Sequence, residues 1–546
     1  MKKQVFQKSK DNSPIHSLHL RHFRTHLKQE LRGVWITTAK NTDFPSPAVF
    51  ESGKFDLAAY KREFLSILKR CKDLKLNAIF FQVRPQGDAF YPSGLNPWSQ
   101  YLTGRQGVEP GDGFDPLAWM IDAAHLDGIE FHAWLNPFRL TPATIRGQSK
   151  TSCLSLLSAG HYVRENPHWA YFFNGGLTLD AGCPEVASFL VATVQEIIDR
   201  YDVDGIHLDD YFYPYSYEME ENGEFKNISF LEAAPDLQTF EAYKQVGQPI
   251  EKWRENNVNR LIEGLYQTIS IQNKKQGTSI AFGVSPFGVW ASASEVRGGS
   301  FTSPDQLSSL EEFVNSKLWV DQGWVDYIVP QNYWGQNDLL SPFKNVASWW
   351  DQAVAGKKTQ LYMGLGPYLY ESDAQNPDWQ REEELLEQVH FLRTLPCHNG
   401  YACFTFHHLN GQDKDNEILF RAVQKLKTGA CGYYALVPPR EHLQTGPTEA
   451  VVNLKVAPDE EGGNVLFFED SPTSLSRFYV IYRHEGTGDS PDLENPANIL
   501  DVVGKNSRSH RQSYMDTSAV LGQSYTYAIT ALSRAQVESK PMFAYI

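Results

Sequence analysis

The stretch VDGIHLDDYFYP, residues 203–214, decides the fold because it mixes an apolar and a charged face within one short run. Strand side chains alternate between faces. In DGIHLDDY (204–211), Ile206 and Leu208 therefore share one side, and His207 and Asp209 share the other, with Asp210 following at the rim. The apolar pair suits a helix layer. The same alternation recurs in IEFHAWLNP (129–137), where Phe131, Ala133 and Leu135 oppose His132, Trp134 and Asn136. In AIFFQVR (78–84), Ile79, Phe81 and Val83 oppose Gln82 and Arg84. The run DYIVPQNYW (326–334) ends in Gln331, Asn332, Tyr333 and Trp334. RGVWITT (32–38), SIAFGVSP (279–286), QLYMGLGPY (360–368) and YACFTFHH (401–408) complete eight strand candidates.

Helical patterns lie between these runs. In 57–75, Leu57, Tyr60, Phe64, Leu65, Leu68, Cys71 and Leu74 recur at steps of three and four. Segments 116–127, 184–201, 249–273, 342–355 and 378–395 read similarly, with Pro116, Pro184, Pro249 and Pro342 at or near their starts. Eight β–α alternations over 30–430 predict an α/β chain folded as a (β/α)8 TIM barrel, and an open doubly wound sheet ranks below it. In such barrels the loops after the strands build the site, and polar groups from strands two, three, four and six converge there. Burying so many polar groups without partners would be costly, which points to a polar ligand pocket.

Beyond residue 430 the texture changes. Residues 431–446 read as a linker, and 447–546 carry short alternating runs (VVNLKVAP, NVLFFED, FYVIYRHE, NILDVV, SYTYAITALS) that predict a C-terminal all-β, immunoglobulin-like sandwich. Tyr525 and Tyr527 share a face there, as a tyrosine at a sandwich corner would. Its expected role is that of a spacer or of a dock for a cell-wall or protein partner. Residues 1–29 are expected to be a flexible segment, basic and polar, with no apolar run of the signal-peptide kind.

The chain has 546 residues, with 50 Lys+Arg against 65 Asp+Glu and a formal net charge of −15. That balance argues against nonspecific nucleic-acid binding. No segment approaches a membrane span of about 20 apolar residues. The six cysteines are scattered without a CxxC pair, so neither a zinc cluster nor a redox dithiol is expected. No cofactor motif occurs: there is no P-loop, and Gly364 and Gly366 do not open a helix. The 13 Trp and 26 Tyr are ample for stacking on sugar rings, although most must fill the core.

Together RGVWITT, FFQVRPQGDAFYPS, PWSQYLTG, FHAWLNPFR, VDGIHLDDYFYP, GVSPFGVW and DYIVPQNYW resemble glycosyl-hydrolase-like family ten over about 30–430. The C-terminal part looks like a fibronectin type III module. The resemblance implies a TIM-barrel glycoside hydrolase acting on a glycan, with denuded peptidoglycan strands as the plausible substrate. It also implies a location in the cell envelope or outside the cell, while the N-terminus leaves the cytoplasm open.

Glycoside hydrolysis needs two carboxyl groups, one ionised and one protonated. Asp209 is the expected ionised group, held charged by Arg84 or His207. It maps onto the nucleophile in the strand-four pattern of several retaining families. A structural ion pair with Arg84 is its alternative. Asp210, Glu295 and Asp88 compete as the acid. Gln82, His132, Asn136, Arg139, Tyr211, Gln331 and Tyr333 are expected substrate contacts, as are Arg84, Asp88 and His207. Trp290 and Trp334 are expected stacking platforms. Two rivals remain: metal-dependent deacetylation, with His132, His207, Asp209 and Asp210 as ligands, and glycan binding without cleavage.

Overall fold

The computed structural model describes residues 26–546 except 52, 112, 142–148, 222–223, 412–415, 461, 472–475, 488–489 and 507–508. Most of the 1–29 segment therefore lies outside the described residues. Its described end is anchored: the Lys28 carbonyl accepts from Leu436 N at 2.7 Å, and Lys28 Nζ lies 2.7 Å from Glu538 Oε2.

Eight parallel strands close into a barrel. They are β1 (Leu31–Ile36), β2 (Ala78–Arg84), β3 (Glu130–Leu135), β4 (Gly205–Leu208), β5 (Ala281–Val284), β6 (Tyr327–Ile328), β7 (Gln360–Leu365) and β8 (His398–Cys403). Each pairs with its chain neighbour, and β8 returns to β1. A helix follows each strand: α1 (Leu57–Asp73), α2 (Pro116–Leu126), α3 (Pro184–Arg200), α4 (Ile250–Gln276), α5 (Ser316–Gln322), α6 (Phe343–Val354), α7 (Glu384–Leu392) and α8 (Glu417–Thr428).

Helix starts follow local chemistry. Asp56 and Asp115 accept from Ala59 N and Ala118 N, capping α1 and α2, and Pro116 and Pro184 sit in the first turns of α2 and α3. Helix α1 buries Tyr60, Phe64, Ile67, Leu68 and Cys71 against the outward face of the barrel. Two helices, α5 and α8, escape the sequence reading. The seven residues of α5 span too few turns to show a period. Strand β6 stops at Ile328, short of the expected 334, and Pro330 just beyond has no N–H to extend a ladder.

Inside the barrel, Trp35, Phe80, Trp134, Tyr327 and Tyr362 fill the lumen. Glycine makes room for them. A Cβ on Gly205 would meet His132 Nδ1 at 2.2 Å, and one on Gly283 would meet the Tyr327 ring at 2.0 Å.

Among the described residues the C-terminal unit has seven strands: β9 (Val452–Pro458), β10 (Asn464–Glu469), β11 (Ser476–Glu485), β12 (Ile499–Gly504), β13 (Arg511–Asp516), β14 (Tyr525–Ser533) and β15 (Met542–Tyr545). They form two antiparallel sheets, ordered β9-β10-β13 and β12-β11-β14-β15. Tyr525 OH accepts from Val520 N at 3.0 Å, and Tyr527 OH donates to Asp516 at 2.7 Å. The segment 431–446 is not a loose tether. Val437 and Leu443 join the lumen cluster from below, and Arg440, fully buried, reaches Glu130 of β3. The sandwich packs beside α2, where Arg477 lies 2.7 Å from Asp202 and 3.1 Å from Asp204.

Candidate active site

At the C-terminal end of the barrel the strand ends surround a cavity of about 170 Å³. The segment after β4 supplies Asp209, Asp210 and Tyr211; β2 supplies Gln82; the end of β3 and the loop beyond it supply Trp134, Asn136 and Arg139; and the loops after β5 and β6 supply Ser285, Gln331 and Tyr333. Trp35, Thr37 and Phe404 close the remaining wall. Alternation on β4 predicts opposite directions for two successive aspartates. The strand ends at Leu208, however, and both carboxyls line the one cavity.

Burial dominates the electrostatics of the pair. It pushes the Asp209 carboxyl up to about 7, the neighbouring Asp210 adds to the rise, and Arg139 and the Tyr211 N–H oppose it. Asp210 is also raised by burial, but its partners favour the ionised form: Tyr215 OH donates to it, with Gln331 and Arg139 nearby. Both carboxyls are therefore biased toward protonation, Asp209 up to about 7, whereas the sequence leads to the expectation of an Asp209 held ionised by Arg84 or His207. Arg139 lies over the Tyr211 ring at 3.8 Å, which fixes its charge beside the pair. Gln82 is set by accepting from Thr38 N and Ala39 N at 3.0 and 2.9 Å. Asn136 accepts from Gln82 Nε2 at 3.3 Å, while its own Nδ2 has no acceptor among the described residues, leaving a buried donor at the cavity wall.

His132 and His207 are buried and do not line the cavity. They belong to a hydrogen-bond chain beneath its floor. Trp35 Nε1 can only donate, and it meets His207 Nε2 at 3.1 Å, so that nitrogen is the acceptor. His207 Nδ1–H then faces Tyr327 OH at 3.3 Å, Tyr327 OH faces His132 Nδ1 at 3.0 Å, and His132 Nε2–H faces Glu130 at 3.0 Å. Arg440 and Gln536 hold the Glu130 carboxylate from below. Burial lowers the His207 pKa well below its ordinary value, which matches a neutral ring. With both rings so committed, the ligand set His132, His207, Asp209 and Asp210 does not converge, and the deacetylase reading loses its site.

Several other expected residues stand elsewhere. Arg84 is turned away by a register shift in β2: Gln82 pairs with Trp134, but Arg84 pairs with Leu135, an outward position. Its guanidinium donates to the carbonyls of Asn136 and Pro137 at 2.6 and 3.1 Å, to Asn96 and to Tyr162 OH, so neither an ion pair with Asp209 nor a substrate contact results. Asp88 is buried within the loop after β2, accepting from Gln86 N and Gln106 Nε2. Trp290 stacks on Trp349 at 5.4 Å, and Trp334 packs edge-on to Phe287, so both stabilise loops instead of lining the cavity. Glu295 is exposed on the loop after β5 and away from the cavity lining.

The same long loop carries a carboxyl that sequence reading missed. Burial pushes Glu312 up to about 8, with Glu311 and Asp210 adding to the rise. Its loop is pinned by Ser309 N to Val289 O and Val314 N to Ser309 O, both at 2.8 Å. The adjacent acids Glu311 and Glu312 before Phe313 and Val314 were the only sequence signal.

The chain is similar to known glycosyl hydrolases. Glycosyl hydrolase YngK of Bacillus subtilis (strain 168) is 33% identical over 517 residues, covering 94% of this chain and 92% of its own. Glycosyl hydrolase DigH of Escherichia coli (strain K12) is 33% identical over 392 residues, covering 70% of this chain and 84% of its own. Among solved structures, the PgaB (BpsB) glycoside hydrolase domain from Bordetella bronchiseptica overlaps 72% of this chain and 98% of that one, with 15% identity and a TM-score of 0.39. The family model described as Glycosyl hydrolase-like 10 matches residues 30–381, the barrel from β1 to the approach to α7. This chain therefore belongs to the glycosyl hydrolase-like 10 family.

Proposed function

We propose that the protein hydrolyses O-glycosidic bonds in a bacterial polysaccharide, with denuded peptidoglycan glycan strands as the substrate class. The observation that carries the reading is the Asp209–Asp210 pair, two adjacent carboxyls that line one cavity at the barrel mouth and are both raised by desolvation. Asp209 donates its proton to the leaving glycosidic oxygen. Asp210, ionised, stabilises positive charge at the anomeric carbon or activates the incoming group. Arg139, Asn136 and Gln331 supply donors and acceptors for sugar hydroxyls or an N-acetyl group. Trp134, Tyr211 and Tyr333 supply flat apolar walls. Such a substrate carries with it a location at the cell envelope.

The test is reducing-end release from purified glycan strands stripped of stem peptides, beside strands that retain them. Wild-type protein is expected to cleave the stripped strands. Asp209→Asn and Asp210→Asn are each expected to lower kcat/KM by about 10²-fold or more. Folded variants with undiminished turnover would remove the pair from the chemistry. Saturable glycan binding by wild type with no new reducing ends would favour the non-catalytic reading instead.

A further inference from the structure

A second cluster of chemistry-bearing side chains lies at the barrel mouth, outside the carboxylate pair. Strand β7 leads into a short helical turn, Leu369–Ser372, that carries Glu371. Strand β8 leads into a 3-10 turn, Phe406–Leu409, that carries His407 and His408. One nitrogen from each imidazole and one Glu371 oxygen all lie within 4.8 Å of one another. The contact from His408 Nε2 to Glu371 Oε2 is 3.6 Å, long for a hydrogen bond. Two ligands about 2.1 Å from one tetrahedral ion would stand roughly 3.4 Å apart, so this separation already suits a shared centre.

The Phe406–Leu409 turn is held by the scaffold. Asp43 Oδ1 accepts from Thr405 Oγ1 at 2.9 Å and from His407 N at 2.6 Å, while its other oxygen accepts from Thr37 N at 2.7 Å. Arg70 of α1 grips the Leu409 carbonyl at 2.8 Å. Glu371 and His408 line a groove of about 490 Å³ that shares Thr37 and Phe404 with the walls of the carboxylate cavity. Glu371 and His407 are exposed, so the cluster is open to solvent.

We propose that Glu371, His407 and His408 bind one zinc-type divalent transition-metal ion that joins the loops after β7 and β8 and leaves an open coordination position toward this groove. The donor set sorts the metal. Two imidazoles with one carboxylate suit zinc and its neighbours, whereas calcium and magnesium ask for oxygen ligands. Three protein ligands leave at least one position for water or a ligand oxygen. The inference does not rest on the hydrolase reading, because it needs neither Asp209 nor Asp210.

The test uses the full chain, stripped with chelator and titrated with zinc chloride by calorimetry. One equivalent is expected to bind with a dissociation constant of about 10 μM or tighter. His407→Ala and His408→Ala are each expected to weaken binding at least about tenfold, and the double variant to abolish it. Glu371→Gln keeps the size of the side chain and should also weaken binding. Zinc should raise the melting temperature of wild type and leave that of the double variant unchanged. No saturable one-to-one binding below about 0.1 mM, or affinity unchanged in the folded double variant, would overturn the proposal.

Discussion

Asp209 is the residue on which most of the proposed chemistry turns, and its pKa has consequences for rate and stability together. A carboxyl raised to about 7 acts as an acid only while protonated, so kcat/KM should fall as pH climbs through 7. Its folded value exceeds the unfolded value of about 3.9, so the folded state holds the proton more tightly. Stability tied to this group is therefore intact below about pH 4, declines as pH rises toward 7, and then levels. Asp209→Asn should match wild type in chemical denaturation at pH 4 and exceed it at pH 8, on the order of a few kcal/mol. Equal stabilities at both pH values would refute the raised pKa. Strand alternation placed this carboxyl in the lumen because orientation is a local property. It could not tell how the pair is charged, which depends on Gln331 and Arg139 arriving from distant parts of the chain and on Tyr215 folding back onto Asp210.

Among elements, β2 shows how one irregularity redirects a side chain. A regular strand would aim Arg84 into the mouth, and the register shift next to it sends the guanidinium to the loop after β3 instead. Arg84 is thus a positioning residue for the loop that bears Arg139. Arg84→Ala leaves the Asn136 and Pro137 carbonyls without that donor. It is expected to raise KM about tenfold with a smaller change in kcat, and to cost about 2–4 kcal/mol in denaturant unfolding. An unchanged KM would show that the loop holds its shape without it. Bulges leave no periodic trace, whereas the eight strands and six of the helices did, because their apolar spacing repeats over several turns or pleats. The contrast between exposed Glu295 and the more buried Glu312 has the same root: within one long loop, no repeat indicates which acid loses its water.

For the molecule as a whole, the sandwich braces the closed end of the barrel. Arg477 reaches Asp204, the fully buried residue that opens the β4 segment, and His125 reaches the same carboxylate at 2.7 Å. Arg477→Ala would leave Asp204 short of its main counter-charge, with an expected loss of about 3 kcal/mol. One cooperative unfolding transition should persist in wild type, read by tryptophan fluorescence for the barrel and by circular dichroism for both parts. Two separate transitions would mean that the sandwich folds on its own account. The change in texture near 430 gives only an expected boundary. The plug formed by Val437, Arg440 and Leu443 left no such signal, since its partners lie hundreds of residues upstream.

The ladder from Trp35 to Glu130 has a fixed sense, because an indole can give a proton but never take one. Reversing any rung would require every rung below it to reverse as well, ending on a carboxylate clamped by arginine. The ring of His207, whose Nε2 also meets Ser285 Oγ of the cavity wall at 3.1 Å, is thereby kept as an acceptor on that side, and in the proposed mechanism the acid–base work falls to the carboxyl groups.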